Sequence, residues 1–460
     1  MTQKIHIVGI EGAGTSALAT LYRRQGNEVT GSDDGDRFYA SVLEKEGILV
    51  HDSFHPDHIP SDCGLVVHST AFSNNVELDR ARELGIRVLS YPEAIGELTR
   101  EKMSLLVTGT HGKTTTSAML AEVLRAGGKD PSAVIGSRVR SWNGNALVGG
   151  GDMLVLEADE YQDKLSHYLP FAAILTSVDW DHPDFFPDAA AYRETFRKFV
   201  RRIPMHGVLV YSSDSATVLS VATEAKCRRI SYGFDGRADV RIIDRISVPA
   251  SESGPEGVRQ RFGIETKDRS LGTFSLCLPG RHNAQNAAAV IALCSFLRLD
   301  MEAVRECLST FTGTTRRSEY KGEYAGVPVY DDYAHHPEEL RATIASFRDA
   351  YPDRRLVAVF HPHTFTRTAA LLTEFAQSFD DATRVLVLDI YGSARETAGG
   401  VSSVDLVREI NRYVRDKAEH VPTISEAIAV LRKTLEPGDL LVTFGAGDVY
   451  KVADGVAGKD

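Results

Sequence analysis

The chain has 460 residues, 43% of them apolar and 25% charged, with 52 Lys and Arg against 63 Asp and Glu for a formal net charge of −11. At roughly 150 residues per domain this length predicts about three domains, and the composition excludes low-complexity disorder, collagen-like repeats and coiled coils. The acidic balance argues against nucleic-acid binding through an overall field, and no apolar run reaches the ~18 residues that a membrane span needs.

The chain starts Met1-Thr2-Gln3-Lys4 and runs directly into Ile5–Ile10, which reads as a first strand and not as a signal peptide. Further short β-branched runs follow at Glu28–Ser32, Ile48–His51, Leu65–Ser69 and Arg87–Ser90, separated by helical or polar stretches. That alternation predicts a parallel sheet with crossover helices. A charged segment, Glu97–Lys102, precedes a new apolar strand at Leu105-Leu106-Val107 and marks a first boundary near residue 100.

The middle region continues with a glycine turn and a helix carrying Met119, Leu120, Val123 and Leu124 on one face, then strands at Met153–Leu156 and Ala172–Leu175. Val240–Ile243, Arg259–Thr266 and Thr273–Leu278 read as antiparallel strands around the turn-rich Ser251–Pro255. Ala287, Val290, Ile291, Cys294 and Leu297 form a helical stripe, and a second boundary falls near Phe311–Thr315. Strands are then predicted at Val327–Tyr330, Leu356–Phe360, Arg384–Ile390 and Leu440–Phe444. Helices are predicted at Pro337–Ala350, Ala369–Phe379, Val404–Arg415 and Ser425–Leu435. The five cysteines, Cys63, Cys227, Cys277, Cys294 and Cys307, are scattered without C-x-x-C spacing. They predict neither a disulfide framework nor a zinc site, and the expected compartment is the cytoplasm.

Four motifs carry chemistry. Gly109-Thr110-His111-Gly112-Lys113-Thr114-Thr115 lies between a buried strand and a helix. There, backbone N–H groups and the helix N-terminus attract phosphate, the lysine reaches the β- and γ-phosphates, and a following hydroxyl ligates Mg²⁺. Its spacing departs from the common phosphate loop, with Val107 five before Gly112; the plain alternative is a tight turn with a surface lysine. Gly9-Ile10-Glu11-Gly12-Ala13-Gly14, with Asp33 ending the next strand, is a dinucleotide fingerprint that equally suits any pyrophosphate, including that of a UDP-sugar. Glu157-Ala158-Asp159-Glu160 and Asp179–Asp184 follow strands on the same predicted edge and read as metal ligands, above all Glu157 and His182, or as acidic helix caps. Pro279–Ala287 offers Asn283 and Asn286, whose amides can read an adenine edge. Asp331–Pro337 and Phe360–Thr368 end two strands of the last region and suit an amino-acid pocket, whereas Arg197, Lys198, Arg201 and Arg202 read as a solvated helical face.

In order, G-T-H-G-K-T-T-T, E-A-D-E, D-H-x-D, G-R-H-N-x-x-N-A, T-x-R-R, D-D-Y-x-H-H-P and the late Gly445-Ala446-Gly447-Asp448 span nearly the whole chain. This set resembles the Mur ligase family of peptidoglycan synthesis. The resemblance implies an α/β, three-domain architecture. A Rossmann-like domain (1–100) takes the UDP-sugar, a central P-loop ATPase domain (101–312) takes ATP, and a Rossmann-like domain (313–460) takes the amino acid. It further implies ATP on Gly109–Thr115, Asn283, Asn286, Arg316 and Asp332, Mg²⁺ on Thr114, Glu157 and His182, and Lys113, Glu157 and His182 as the catalytic set. UDP-N-acetylmuramate would lie on Gly12, Ala13, Gly14, Asp33, Ser69 and Thr70, and L-alanine on Tyr333, His335, His363 and Arg367. The implied reaction phosphorylates a carboxylate and lets an amine displace phosphate from the acyl phosphate, in a monomer or weak homodimer with no nucleic-acid or membrane partner. Sister ligases use a carbamylated lysine where this chain has Phe196, which fits the alanine-adding members. Tyr161 and Asp184–Pro187 are instead more like recycling ligases that attach a preformed L-Ala-γ-D-Glu-meso-diaminopimelate tripeptide, with Arg395 the nearest extra cation. A nicotinamide oxidoreductase would explain the first glycine turn and leave the Lys113 loop idle; a non-catalytic nucleotide-binding module would leave the metal-ligand set idle.

Overall fold

The computed structural model describes residues 2–35, 37–254, 258–392 and 399–458; Pro255 of the expected turn and Arg395 lie outside them. The chain forms two compact units. The first holds Met1–Asp179, Arg193–Asp239 and Ala289–Cys307, and the second holds Trp180–Tyr192, Val240–Ala288 and Leu308–Asp460.

In the first unit, β1 (Lys4–Val8), β2 (Glu28–Ser32), β3 (Leu49–His51), β4 (Leu65–His68) and β5 (Arg87–Ser90) make an all-parallel sheet of order β3-β2-β1-β4-β5. The chain moves outward from β1 through β2 to β3, then returns to the other side of β1. The strand order therefore reverses between β1 and β4, and in open α/β sheets ligands bind outside the strand ends at such a reversal. Both the glycine turn after β1 and Ser69-Thr70 after β4 end there. The same unit holds β6 (Met103–Thr108), β7 (Ser132–Val139), β8 (Gly144–Leu147), β9 (Met153–Glu157), β10 (Ala172–Leu175), β11 (Val208–Ser212) and β12 (Arg228–Gly233). They run in the order β12-β11-β10-β6-β9-β7-β8, parallel apart from the β7–β8 hairpin. The phosphate-loop strand β6 lies centrally, with β9 and β10 as neighbours, so Glu157 and Thr176 end beside it.

The second unit carries the antiparallel β13 (Val240–Val248), β14 (Arg259–Thr266) and β15 (Ser270–Leu276). Its other sheet is built from β16 (Glu319–Tyr324), β17 (Val327–Asp332), β18 (Arg355–Phe360), β19 (Arg384–Val387), β20 (Ala418–His420) and β21 (Asp439–Phe444), in the order β16-β17-β21-β18-β19-β20 with only β16 antiparallel. Alternate residues of these strands serve two cores: Ala358, Phe360, Val442 and Phe444 pack in one, Val357, Val359 and Leu441 in the other. A parallel sheet covered on both faces has this near-continuous apolar pattern.

The structure differs from the expected elements in a few places. The helix expected over Ala369–Phe379 is three short pieces, Phe365–Ala370, Leu372–Ala376 and Gln377–Phe379, and β19 stops at Val387. The hairpin β7–β8 and strands β11, β12, β16 and β20 carried no expectation. Arg202 is not purely solvated, since its Nη1 donates to Leu165 O at 2.9 Å; Arg201 does sit outside, between Glu194 and Glu224. Cys294 is fully buried, and no helix among the described residues is long and apolar enough to cross a membrane.

Candidate active site

In the first unit, Gly112 caps the helix Lys113–Ala126 in left-handed backbone (φ 78°), a conformation that a side chain would strain. The turn is fixed from β10: Thr176 Oγ1 donates to His111 O at 2.5 Å, the His111 N–H donates to Ser177 Oγ at 2.9 Å, and Thr110 Oγ1 donates to Asp179 O at 2.8 Å. Lys113 Nζ bends back over the loop to Gly109 O at 2.6 Å and pairs with Glu160 Oε2 at 3.0 Å. Burial works against this ammonium, yet Glu160, Asp159 and Glu157 together outweigh it and hold the Lys113 pKa above its ordinary value. The lysine is therefore charged wherever the protein is folded. Glu160 carried no assignment beyond the quoted E-A-D-E; a buried carboxylate needs a cation, and Lys113 is that cation.

Beside the loop, Thr114 Oγ1 donates to Glu157 Oε1 at 2.7 Å, and the Gly136 N–H of β7 donates to Glu157 Oε2 at 2.6 Å. A Cβ on Gly136 would lie 2.9 Å from that oxygen, so a larger residue there would push the carboxylate aside. A hydroxyl and a carboxylate held side by side are the hard oxygen donors that Mg²⁺ prefers.

At the first sheet, Ala13 and Gly14 open the helix Ala13–Arg24 with Gly12 as its cap, and the Ser69 N–H donates to Val8 O at 2.9 Å, drawing Ser69-Thr70 beside the glycine turn. Asp33 accepts from the N–H groups of Glu11 at 2.9 Å and Gly35 at 3.0 Å, so it braces the turn. Two groups missed in the sequence stand here. The Glu11 side chain is buried and accepts from the Tyr39 N–H, and burial raises its pKa. Asn145 of β8 donates to Ala13 O at 2.6 Å and Ser16 Oγ at 3.0 Å. The one local signal for that hairpin is the turn dipeptide Asn143-Gly144, and the mostly polar Ser137–Ser141 before it hides the first strand.

In the second unit, Tyr333, His335 and His363 come together, with the Tyr333–His335 ring centroids 5.2 Å apart and the His335–His363 centroids 6.1 Å apart. Arg367 Nη1 lies 3.4 Å from His363 Nδ1. Its Nε and Nη2 both donate to Asp181 Oδ1 at 3.0 Å, a partner that no motif announced. Burial drives the His335 pKa down to about 3, Glu339 opposing and Arg367 adding to the shift. His335 is thus a neutral imidazole at neutral pH.

Arg316, expected toward the nucleotide, is held by a dense set of protein contacts. Its guanidinium is spent on Asp331 Oδ2 and on the carbonyls of Gly445, Ala446 and Gly447 at 2.6–3.1 Å, so it staples β17 to the Gly445–Asp448 turn. Its neighbour Arg317 is the arginine whose charge reaches Asp332, and both guanidinium groups lie over the Tyr333 ring at 5.1 Å. Asp332 accepts from the Ser318 and Ala334 N–H groups, and burial lifts its pKa to about 6. Asn283 Nδ2 donates to Pro279 O at 2.8 Å and Asn283 Oδ1 accepts from Asn286 at 3.2 Å, which sets both amides at the start of the helix Arg281–Phe296. Beside them His282 is pushed down to about 4 by burial and then by Arg245 and Arg317.

A histidine with a lowered folded pKa takes up protons more readily when unfolded, so its stabilising effect is complete above about pH 6.5 and is lost as pH falls toward the folded value. Each such group contributes a slope of about 1.4 kcal/mol per pH unit across that window. Urea denaturation between pH 7 and pH 4.5 is therefore expected to show steep acid destabilisation, and His282→Asn to reduce the slope. An unchanged slope would show that His282 is not a buried neutral group.

A strand, a glycine turn, a charged lysine and a hydroxyl–carboxylate pair at the head of a helix define a nucleotide-binding P-loop protein, and the C-terminal cluster gathers Tyr333, His335, His363 and Arg367. Comparison with known proteins carries this further. Three family models match: the Mur ligase family catalytic domain over residues 4–103, the Mur ligase middle domain over 107–294 and the Mur ligase glutamate ligase domain over 316–447. The chain belongs to the Mur ligase family and has its three-domain α/β architecture. It is 40% identical over 456 residues to the UDP-N-acetylmuramate–L-alanine ligase of Desulfitobacterium hafniense, covering 98% of this chain and 99% of that one. It also matches the crystal structure of UDP-N-acetylmuramate–alanine ligase from Thermotoga maritima with a TM-score of 0.82, at 27% identity and 98% coverage of both chains. A murein peptide ligase from Psychrobacter arcticus shares the fold, with a TM-score of 0.70 and 24% identity over 99% of both chains.

Proposed function

We propose that this protein is an ATP-dependent ligase that joins L-alanine to UDP-N-acetylmuramate, releasing ADP and phosphate. The observation that carries the reading is the charged Lys113, buried against Glu160 beside the Thr114–Glu157 pair, in a chain of this family. The loop N–H groups and Lys113 hold the phosphates of ATP and neutralise charge that would otherwise repel the attacking sugar carboxylate. Thr114 and Glu157, with His182 as a further ligand, would hold Mg²⁺, which would supply additional neutralisation of the phosphate charge. Gly12, Ala13 and Gly14 present a helix N-terminus to the pyrophosphate of the sugar nucleotide, with Asp33, Ser69 and Thr70 along the same edge. Asn283, Asn286, Arg316 and Asp332 face the adenosine, with Arg317 close enough to Asp332 for its charge to be felt there. Tyr333, His335, His363 and Arg367 receive the amino acid, and positioning supplies most of the rate.

A free amino acid fits better than a tripeptide. The segment that favoured the peptide has a packing explanation: Phe186 is buried with its ring edge-on to Tyr192 at 5.0 Å, and Trp180 Nε1 donates to Phe186 O at 3.2 Å. Tyr161 lies under Lys164, which is itself paired with Asp159. The test is phosphate release from UDP-N-acetylmuramate, ATP and Mg²⁺ with L-alanine, L-serine, glycine or L-Ala-γ-D-Glu-meso-diaminopimelate supplied in turn. L-Alanine is expected to give the highest kcat/KM. Glycine, lacking one methyl, should trail by about 10-fold or more, since a methyl-sized pocket discriminates by about 1–3 kcal/mol. Faster turnover with the tripeptide would overturn the choice of acceptor.

A further inference from the structure

Three contacts within the first unit run between the glycine turn of the first sheet and the phosphate-loop carboxylate, and the ligase reading assigns them nothing. Glu11, inside the turn, accepts the Tyr39 N–H at 3.0 Å, and Tyr39 OH donates to Gly136 O at 3.4 Å. Arg138, two residues along β7, donates to Phe38 O and lies over the Phe38 and Tyr39 rings at 5.4 and 5.5 Å. Gly136, between those anchors and β9, donates its N–H to Glu157 Oε2, whose other oxygen takes the Thr114 hydroxyl. A single peptide segment of β7 therefore touches the sugar-nucleotide side through Gly136 O and Arg138, and the metal side through Gly136 N. Tyr39 is 5% exposed, and its hydroxyl bonds Gly136 O while its backbone N–H bonds Glu11, so a shift of this residue bears on both β7 and the glycine turn. Gly136 is already in hydrogen-bond contact with the carboxylate at 2.6 Å, so a displacement of this peptide either carries Glu157 Oε2 with it or breaks that bond.

We infer that Tyr39 and Arg138 are positioning residues that couple the sugar-nucleotide turn to the Glu157 carboxylate, so that occupancy of the turn tightens binding of the metal–nucleotide at the phosphate loop. The inference rests on the ligase reading for the identity of the two ligands. Neither residue touches the reacting atoms; both act through β7. Coupling of this kind is a free energy between two sites and is reciprocal, commonly amounting to about 5-fold or more in affinity.

The experiment is calorimetric titration of the full chain with Mg²⁺ and the non-hydrolysable analogue AMP-PNP, with and without saturating UDP-N-acetylmuramate, in the wild type, Tyr39→Phe and Arg138→Ala. In the wild type the sugar nucleotide should tighten AMP-PNP by about 5-fold or more. In each variant that factor should fall below about 2, while the affinity for either ligand alone changes little and thermal unfolding stays cooperative, a pattern that a purely structural role would not produce. Tyr39→Phe removes one hydroxyl and keeps the ring, so it guards against a folding defect in the larger truncation. A wild-type factor near one, or an undiminished factor in both variants, overturns the coupling. A wild type that binds neither ligand overturns the ligase reading and this inference with it, and is distinguished by those same single-ligand titrations.

Discussion

Lys113→Met is expected to lower ATP-dependent phosphate release by at least 10²–10³-fold, the scale on which removal of one preorganised charge-stabilising group typically acts. Affinity for UDP-N-acetylmuramate should stay within a few-fold of wild type, because the glycine turn of the first sheet shares no hydrogen bond with Lys113. One complication is physical. Glu160 is fully buried, and its oxygen at 3.0 Å from Lys113 Nζ would lose its cation; stranding a buried charge commonly costs about 3–5 kcal/mol. Pairing Lys113→Met with Glu160→Gln removes both charges together. The double variant should regain thermal stability and remain inactive. If activity returned with stability, Lys113 would be a structural partner of Glu160 and the phosphate assignment would be wrong. Isothermal titration with the sugar nucleotide completes the test, since a collapse of that affinity in the single variant would contradict separate binding regions.

How far the sequence leads differs between the strands and the side chains. Strand positions were readable because parallel strands buried on both faces are continuous apolar runs: Leu356–Phe360 and Leu440–Phe444 could be placed from composition alone. The hairpin β7–β8 was not, because Ser132–Val139 is interrupted by Gly136, Ser137 and Arg138, and these residues are there for Glu157 and for the Phe38–Tyr39 loop, not for the pleat. Local propensity loses where a strand has a second partner to serve. The phosphate loop was legible because glycine spacing, lysine and hydroxyl are contiguous in sequence.

Arg316 and Arg367 mark the limit of that legibility. Arg316 stands in the turn before β16 and Arg367 in the short helix after β18, where an arginine reads as a ligand group, and both are committed to carboxylates in the fold, Asp331 and Asp181. Nothing local announces such a pairing. Arg316 lies 15 residues from its partner and Arg367 lies 186, and only the tertiary fold brings the charges together. Buried guanidinium groups require such partners, so burial could have prompted the search but not named the residue.

The Asp181–Arg367 pair leads to the second large effect, Arg367→Ala. Asp181 Oδ1 accepts from both Arg367 Nε and Nη2 and also from the backbone N–H of His182 at 2.7 Å. His182 is held at a positive φ of 55°, a conformation that costs a non-glycine residue on the order of 1 kcal/mol or more and persists only when neighbours impose it. One carboxylate oxygen, fixed by Arg367, thus sets the backbone of a proposed metal ligand. Burial opposes the charge on Asp181, but the Arg367 guanidinium beside it holds the Asp181 pKa well below the usual carboxylate range. A depressed acid contributes stability that is complete above its unfolded pKa of about 4 and fades as pH falls below that. Arg367→Ala should therefore cost about 3–5 kcal/mol of stability near neutral pH, the price of an uncompensated buried carboxylate, and Arg367→Ala with Asp181→Asn should recover part of it. Arg367 also keeps Nη1 beside His363, where the amino-acid carboxylate is proposed to bind, so two roles must be told apart. Arg367→Lys can keep one contact to Asp181 but cannot make a two-nitrogen clasp and reach His363 at once. If Arg367 chiefly secures Asp181 and His182, the lysine variant loses kcat, and Asp181→Asn shows the same loss with little change in the KM for L-alanine. That is the expected result. A raised KM for L-alanine with unchanged kcat in Arg367→Lys, together with an unimpaired Asp181→Asn, would assign Arg367 to the amino acid alone.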